Sequence, residues 1–227
     1  MFARIIFAAV VAGLVSGLAM SAVQQWQLVP LIVEAEAHEG IEHLHSDGSV
    51  HIHADDAAQP WAPADGLERT FYTVLANLLA AIGFALVLAA VSVLAGLELT
   101  LANGLLWGLA GLVTFQLAPA LGLPPELPGM PAADLGPRQL WWWGTVIATA
   151  AGLLAVAKWR HPAAFAVAIA LIAAPHLIGA PAAPDEPSGV PALLASRYAA
   201  NVLVAAAVFW LLLGPLLGWL TERFAAA

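Results

Sequence analysis

Residues 71–121 read FYTVLANLLAAIGFALVLAAVSVLAGLELTLANGLLWGLAGLVTFQLAPAL and contain a single charged residue, Glu98. An apolar helix needs roughly 20 residues to span the hydrocarbon of a bilayer. This stretch holds two such runs, 71–95 and 99–121, joined by a short turn around Glu98. The pattern predicts a pair of membrane helices, and with it the fold class of the chain.

Four further apolar runs flank this pair, so we expect an all-α integral membrane protein with a bundle of about six transmembrane helices. The predicted spans are 5–25, 71–95, 99–121, 139–157, 161–179 and 199–220. Arg4 before the first run also fits the basic start of a signal peptide. We favour a retained helix, because the run is long and no convincing cleavage site follows it.

The composition restricts the function classes. Hydrophobic residues make up 62% of the 227 residues and charged residues 10%, which leaves room for one membrane domain, residues 1–227, and no large soluble core. The absence of cysteine excludes disulfides and thiolate metal sites. The sole lysine, Lys158, does not lie in a P-loop. The net charge of −8 argues against nucleic acid as a partner.

Charge distribution gives an expected orientation. With the N-terminus inside, residues 26–70, 122–138 and 180–198 fall outside, and the C-terminus falls inside. Basic residues then slightly favour the inside, as the positive-inside rule requires. All acidic residues except Glu98 and Glu222 fall outside, so the face that bears the long connection is strongly anionic.

Glycine, tryptophan and arginine positions suggest how the helices pack. Pairs at four-residue spacing, which let helices approach closely, are Gly13/Gly17, Gly104/Gly108 and Gly214/Gly218. The alternative is that glycine is simply common in membrane helices. Tryptophans near predicted helix ends are typical interfacial anchors; they are Trp26, Trp141, Trp142, Trp143, Trp159 and Trp219. Each long external connection ends in an arginine, which suggests three helical hairpins in series.

The connection at 26–70 is an external loop rich in histidine and acids. It contains the pairs His43-x-His45 and His51-x-His53, and several glutamates, including Glu36, precede them. Alternate residues of an extended segment share a face, so each pair could bind one ion together with a carboxylate or water. Imidazole and carboxylate suit Zn, Ni, Co or Cu(II) without choosing among them. The alternative is a solvated tract that keeps the loop soluble; we favour metal capture.

Polar side chains within the spans gather in their predicted outer halves. They are Gln24, Gln25, Asn77, Gln116, Gln139, His176 and Asn201, and the main exception is Asn103. Their clustering predicts a polar vestibule that opens toward the long loop, although ordinary helix-to-helix hydrogen bonds would also account for each amide. His176 follows Pro175, and Glu126 and Gln116 could approach it from the neighbouring hairpin. We therefore consider His176 and Glu126 candidate metal ligands, with hydrogen-bonded packing between helices as the alternative for His176.

Several motifs resemble those of the predicted cobalt transporter subunit CbtA family of bacterial membrane proteins. They are AAVVAGLVSGL, PLIVEAEAHE, WAPADGLERTFYTVLAN, GLLWGLAGLVTFQLAPALGLPPELPG, RQLWWWGTVIATAAG and APHLIGAP. The resemblance implies cobalt uptake linked to cobalamin synthesis in a bacterial inner membrane. It also implies CbtB as partner, a small single-helix membrane protein with histidines of its own. It draws attention to Glu36, Glu68, Arg69, Asn77, Gln116, Glu126, Arg138 and His176.

These observations lead to one main hypothesis and two alternatives. The first is import of a divalent metal, in which the loop collects the ion and the polar vestibule (Gln24, Asn77, Gln116, Arg69, Arg138) selects it. The second is a metal-binding accessory protein that delivers ions to another permease. A membrane enzyme is disfavoured, because the sequence has no HExxH or Gly-x-Ser-x-Gly motif and no paired intramembrane carboxylates.

Overall fold

The computed structural model describes residues 2–39 and 63–225, and these residues are helical with short connections. In chain order the helices are α1 Phe2–Gln27, α2 Val29–Glu39, α3 Leu67–Ala95, α4 Leu101–Ala120, α5 Leu135–Trp159, α6 Pro162–Ile178 and α7 Ala192–Ala225. Five of the described helices are long and apolar enough to cross a membrane, and α6 is a shorter apolar helix of 17 residues. The predicted all-α membrane bundle of about six helices is confirmed.

Helix α4 is not uniform along its length. Its segment Val113–Leu117 is a π-helical turn, and the amide of Ala118 donates to the carbonyl of Val113. Pro119 explains the irregularity, because proline has no amide hydrogen and its ring clashes with the carbonyl one turn earlier. The wider π turn therefore places α4 residues of this region differently from a regular helix.

The core of the bundle consists of α1, α3, α4 and α7, and glycines set the distances between these helices. A Cβ on Gly104, Gly108, Gly214 or Gly218 would collide with backbone atoms of the facing helix, so α4 and α7 are in backbone contact. On the other side, a Cβ on Gly13 would lie 2.7 Å from Ile82 Cα of α3. All three predicted glycine pairs thus mediate close helix packing.

Aromatic side chains fill the middle of this core. The Trp210 indole is completely buried and stacks on Phe115, with ring centroids 5.5 Å apart, while Phe84 meets it edge-on. Gly111 leaves the room for the Trp210 ring. Among the described residues, the polar residues classed as buried over the whole residue all carry hydroxyls: Ser16, Ser21, Thr114, Thr145 and Thr149. The centre of the core is therefore apolar and densely packed.

The α5–α6 pair forms a second unit beside the core. Gly152 of α5 packs against Ala168 of α6, and this pair meets the rest of the bundle mainly at the π turn and the C-terminal end of α4. The packing differs from three hairpins in series. Helix α1 pairs with α3 as that pattern requires, but α4 packs chiefly along α7, and α5 along α6. Glycine-lined surfaces determine which helices pack together, independently of the order of the helices along the chain.

The two ends of the bundle differ in structure. The end that bears α2 and the connections 121–134 and 179–191 is called the loop end; the end with the first turn of α1 and the last turn of α7 is called the terminal end. At the loop end, part of the predicted 26–70 loop is helical, because α2 buries Leu31 and Ala35 against Leu127, Val190 and Leu194. This apolar cluster fixes α2 across both proline-rich connections.

Candidate metal-handling site at the loop end

An arginine links the two ends of the predicted His/acid loop. Arg69, in the first turn of α3, donates three hydrogen bonds to the carboxylate of Glu36 on α2, two from Nη1 and one from Nη2, with N–O distances of 2.9 to 3.2 Å. Its Nη2 also lies 2.9 Å from Oδ1 of Asp65. The Arg69 and Glu36 side chains are 25% and 33% exposed, so this paired guanidinium and carboxylate remain accessible from solvent. Glu36 and Arg69 belong to the two described segments that flank residues 40–62 in the sequence.

A row of hydrogen-bonded polar side chains follows between α1 and α3. Asn77 Nδ2 donates to Gln24 Oε1 (2.7 Å) and to Ser21 Oγ (3.1 Å). Nearer the loop end, Gln25 Nε2 donates to Thr70 Oγ1. The buried Gln25 Oε1 has no hydrogen-bond partner among the described residues. We call these five residues the polar seam.

The polar seam ends where the glycine contact begins. A Cβ on Gly17 would lie 3.0 Å from Ala81 Cβ and 3.3 Å from the Asn77 carbonyl oxygen. One turn further, Gly13 brings the backbones of α1 and α3 together. The polar seam therefore occupies the loop-end part of the α1–α3 interface, and close backbone packing replaces it toward the middle of the bundle.

A second ion pair joins the connection between α4 and α5 to the first turn of α5. Arg138 Nη2 donates to Glu126 Oε2 at 2.8 Å, and the two side chains are 30% and 20% exposed. Glu126 follows Pro124 and Pro125, whose fixed φ angles stiffen this segment, and Leu127 is buried in the cluster under α2. The carboxylate of Glu126 is thus held in position by its neighbours on both sides.

His176 lies near the C-terminus of α6, beside Trp141 of α5. The two rings meet edge-to-face with centroids 5.7 Å apart, and Trp141 Nε1 donates to the Pro175 carbonyl at 3.0 Å. Gly122 makes room for the Trp141 ring, since a Cβ there would lie 2.5 Å from Cη2. The buried Nε2 of His176 has no hydrogen-bond partner within the described part of the chain. Trp141 is therefore a packing residue of the bundle, in contrast to the more exposed Trp143, Trp159 and Trp26.

The structure brings six of the predicted site residues together as three pairs. Glu36 pairs with Arg69, Glu126 with Arg138, and Gln24 with Asn77, while half-buried Gln116 lies in the π turn of α4. The four predicted loop ligands lie outside the described residues: His43, His45, His51 and His53. In the ranges 2–39 and 63–225, no three His, Asp or Glu side chains form a group that could hold an ion. The assignment of Glu126 and His176 as joint ligands of one ion stays a prediction.

Sequence reasoning missed several residues that build this end of the molecule. Asp65 shares Arg69 with Glu36, and Ser21 and Thr70 complete the polar seam. Asp65 had a local signal, because it precedes Arg69 by four residues, a spacing that suits ion pairs on helices. The Trp141–Pro175 hydrogen bond had no local sequence signal, since it joins residues 34 positions apart.

Comparison with known proteins identifies the family of this chain. The family model of the probable cobalt transporter subunit CbtA matches residues 2–222. The chain belongs to the CbtA family. No curated protein and no solved structure gives a significant match. Membership makes this a multi-pass membrane protein of a transporter-subunit family with a metal ion as expected cargo, and the family description is not that of an enzyme.

Proposed function

We propose that this CbtA-family protein is the membrane subunit of a divalent transition-metal uptake system, with Co²⁺ as the expected cargo. One observation carries the proposal. The ion-paired glutamates, the polar seam and both attachment points of the histidine-rich segment lie together at the loop end. Carboxylate, imidazole and amide groups are the ligands that such ions accept.

In this proposal the segment 40–62 collects the ion. His43, His45, His51 and His53 supply imidazoles, and the Glu36–Arg69 ion pair joins the two described helices that flank the segment. A collector of this kind raises the local concentration of a scarce ion. Its contribution is therefore largest when external metal is dilute.

Selection takes place at the loop end of the helices. The carboxylates of Glu36 and Glu126 are each neutralised by an arginine, and a dication competes with that guanidinium for the same oxygens. Arg69 and Arg138 thus hold the carboxylates in place without blocking them permanently. Gln24, Asn77 and Gln116 supply neutral oxygens, and His176 an imidazole, as the ion loses water.

The expected orientation makes the membrane potential sufficient as a driving force. We propose that the loop end faces outward and that both termini face the cytoplasm of a bacterial inner membrane. One charge gains about 2.3 kcal/mol per 100 mV, so a dication gains about 4.6 kcal/mol. This corresponds to roughly a thousandfold accumulation of the ion without ATP.

The partner in this proposal is a CbtB-like single-helix membrane subunit, because the family description is that of a subunit. An accessory role, in which the chain binds ions and another permease moves them, is the second candidate. It is favoured by the apolar, aromatic centre of the core around Trp210 and Phe115. Reconstitution of the purified chain in liposomes that contain a metal-sensitive dye separates import from an accessory role.

Labelled Co²⁺ uptake in a cobalt-uptake-deficient cell tests the main proposal. We expect labelled Co²⁺ uptake from cells that express the chain with its CbtB-like partner. We also expect unlabelled Co²⁺ to reduce this uptake more strongly than Ni²⁺ or Zn²⁺ does. Replacement of all five histidines of the loop region (His38, His43, His45, His51, His53) by Asn should weaken uptake at low metal and leave the maximal rate unchanged. Uptake equal to the empty vector would refute the proposal.

A further inference from the structure

Arg69 is shared between two carboxylates, and only that of Glu36 has a role in the function proposed above. Nη1 of Arg69 lies 2.9 Å from Oε1 of Glu36. Nη2 lies 3.2 Å from Oε2 of Glu36 and 2.9 Å from Oδ1 of Asp65. The three side chains carry two negative charges and one positive charge. The contact between Nη2 and Asp65 therefore remains when Glu36 turns to another cation.

The backbone beside Asp65 is fixed, whereas its side chain is free to adjust. The amide of Arg69 donates to the Ala64 carbonyl, and the amide of Ala64 donates to Oε2 of Glu68. Gly66 follows Asp65 with a φ of 90°, a conformation that favours glycine. The Asp65 side chain is 77% exposed. Its carboxylate thus stays close to Arg69 and still has room to follow a movement of the guanidinium.

The second ion pair of the loop end lacks such a third member. Asp134 precedes Arg138 by four residues, just as Asp65 precedes Arg69. Within the described part of the chain, however, the ion pair of Arg138 is with Glu126, and none joins it to Asp134. The same spacing along the sequence therefore places a second carboxylate at one arginine and not at the other.

A second carboxylate changes what happens when a dication takes the oxygens of Glu36. Without another acceptor, the displaced Arg69 guanidinium would stay unpaired beside the dication, and like charges at short range repel each other. It would also have Glu36 as its only partner and would compete with the ion for it. Asp65 reduces both effects, because its contact with Nη2 does not involve Glu36.

We propose that Asp65 is a positioning residue of the loop-end site, which holds Arg69 while Glu36 binds the ion. Asp65 acts through the guanidinium and is not itself a ligand of the ion. It thereby raises the affinity of Glu36 for a dication. We rest this assignment on the proposed function, because the exchange of partners requires Glu36 to bind the ion.

Titration of the purified full-length chain with Co²⁺ tests this exchange. The loop-region histidines are replaced by Asn in every sample, so that binding by their imidazoles does not mask the helical site; they are His38, His43, His45, His51 and His53. Asp65→Asn should weaken Co²⁺ binding about threefold, the size expected for a partly exposed ion pair. Asp65→Glu should retain the affinity, because it keeps a carboxylate.

Asp134→Asn is the matched control for this titration. It removes the same charge at the same distance in sequence before an arginine, from an exposed side chain that makes no ion pair with Arg138 among the described residues. We expect it to leave Co²⁺ affinity unchanged. Equal weakening by Asp134→Asn and Asp65→Asn would show a general effect of negative charge and would overturn the proposal.

The Arg69→Gln background separates a positioning role from direct binding of the ion. If Asp65 acts through Arg69, adding Asp65→Asn in that background should change the Co²⁺ affinity no further. The same threefold weakening in both backgrounds would make Asp65 a ligand and would contradict a positioning role. Unchanged affinity of Asp65→Asn in the presence of Arg69 would contradict it as well.

Co²⁺ binding and Co²⁺ transport are measured separately, so the two proposals fail in different ways. Binding that depends on Asp65 as described, without labelled Co²⁺ uptake by the chain and its partner, would refute import and leave the exchange of partners intact. Absence of Co²⁺ binding by the histidine-substituted chain would overturn the exchange, even where the native chain imports Co²⁺.

Discussion

The two ends of the bundle carry similar side chains but use them differently. At the terminal end, polar groups bind backbone: Arg4 donates to the Phe224 carbonyl, Thr221 to the Leu99 carbonyl, and Glu222 accepts from the Leu101 amide. At the loop end, Glu36 and Glu126 pair with arginine side chains. Backbone partners belong to the fold and cannot leave. Side-chain partners can exchange, and this difference suits the loop end to transient binding of a cation.

The largest expected effect comes from the two candidate ligands nearest the helices. Glu126→Ala combined with His176→Ala should abolish Co²⁺ uptake at every metal concentration, because collection by the loop cannot replace selection. Labelled-ion uptake and the membrane level of the protein are measured together. Glu98→Gln, an exposed acid at the terminal end, should transport like the native chain. Normal maximal uptake in the double variant would place selection elsewhere.

The next effect comes from Arg69, which positions Glu36. Arg69→Gln should lower the apparent affinity for Co²⁺ by about tenfold, the usual size for loss of a group that orients a ligand. Arg69→Lys keeps the charge but loses the two-pronged contact, so we expect an intermediate value. Because both partners are partly exposed, the change in the free energy of unfolding should stay near 1 kcal/mol or less. A large loss of stability with unchanged affinity would make the ion pair purely structural.

The smallest expected effect on transport comes from the terminal end. Thr100 and Asn103 form a reciprocal cap at the start of α4, where each side chain accepts a hydrogen bond from the backbone of the other residue. Asn103→Ala should lower the free energy of unfolding by about 1 kcal/mol and leave Co²⁺ uptake unchanged. Thermal unfolding in detergent measures the change in stability, and an uptake assay measures Co²⁺ transport. A marked loss of transport at native protein levels would contradict the purely structural role of the terminal end.

Much of the fold was predictable because its signals are local. The hydropathy of residues 71–121 indicated two helices, and α3 and α4 occupy nearly those bounds. The three glycine pairs indicated close packing, which the structure confirms. Asn103, the exception among the clustered amides, has a structural explanation as a cap. The serial-hairpin pattern was less informative, because the order of elements does not determine which apolar faces fit together.

The candidate site was predictable as a set of residue types and less so as an arrangement. Glu36, Arg69, Glu126 and Arg138 were each singled out, but the pairing of each carboxylate with an arginine became visible only in the fold. Trp141 was expected to be an interfacial anchor, whereas it packs against His176 and binds the Pro175 carbonyl. Such contacts join helices, and periodicity within a helix contains no information about them.

The sequence by itself determined that this chain is a membrane bundle with one strongly polar end, since hydropathy and charge act residue by residue. The tertiary structure decided which helices are partners and where the polar seam stops. It also decided that the α5–α6 pair leaves a groove beside His176. The physical reason is that helix pairing in a bilayer depends on shape complementarity and on hydrogen bonds between distant residues. These are properties of two surfaces together, and neither surface specifies them alone.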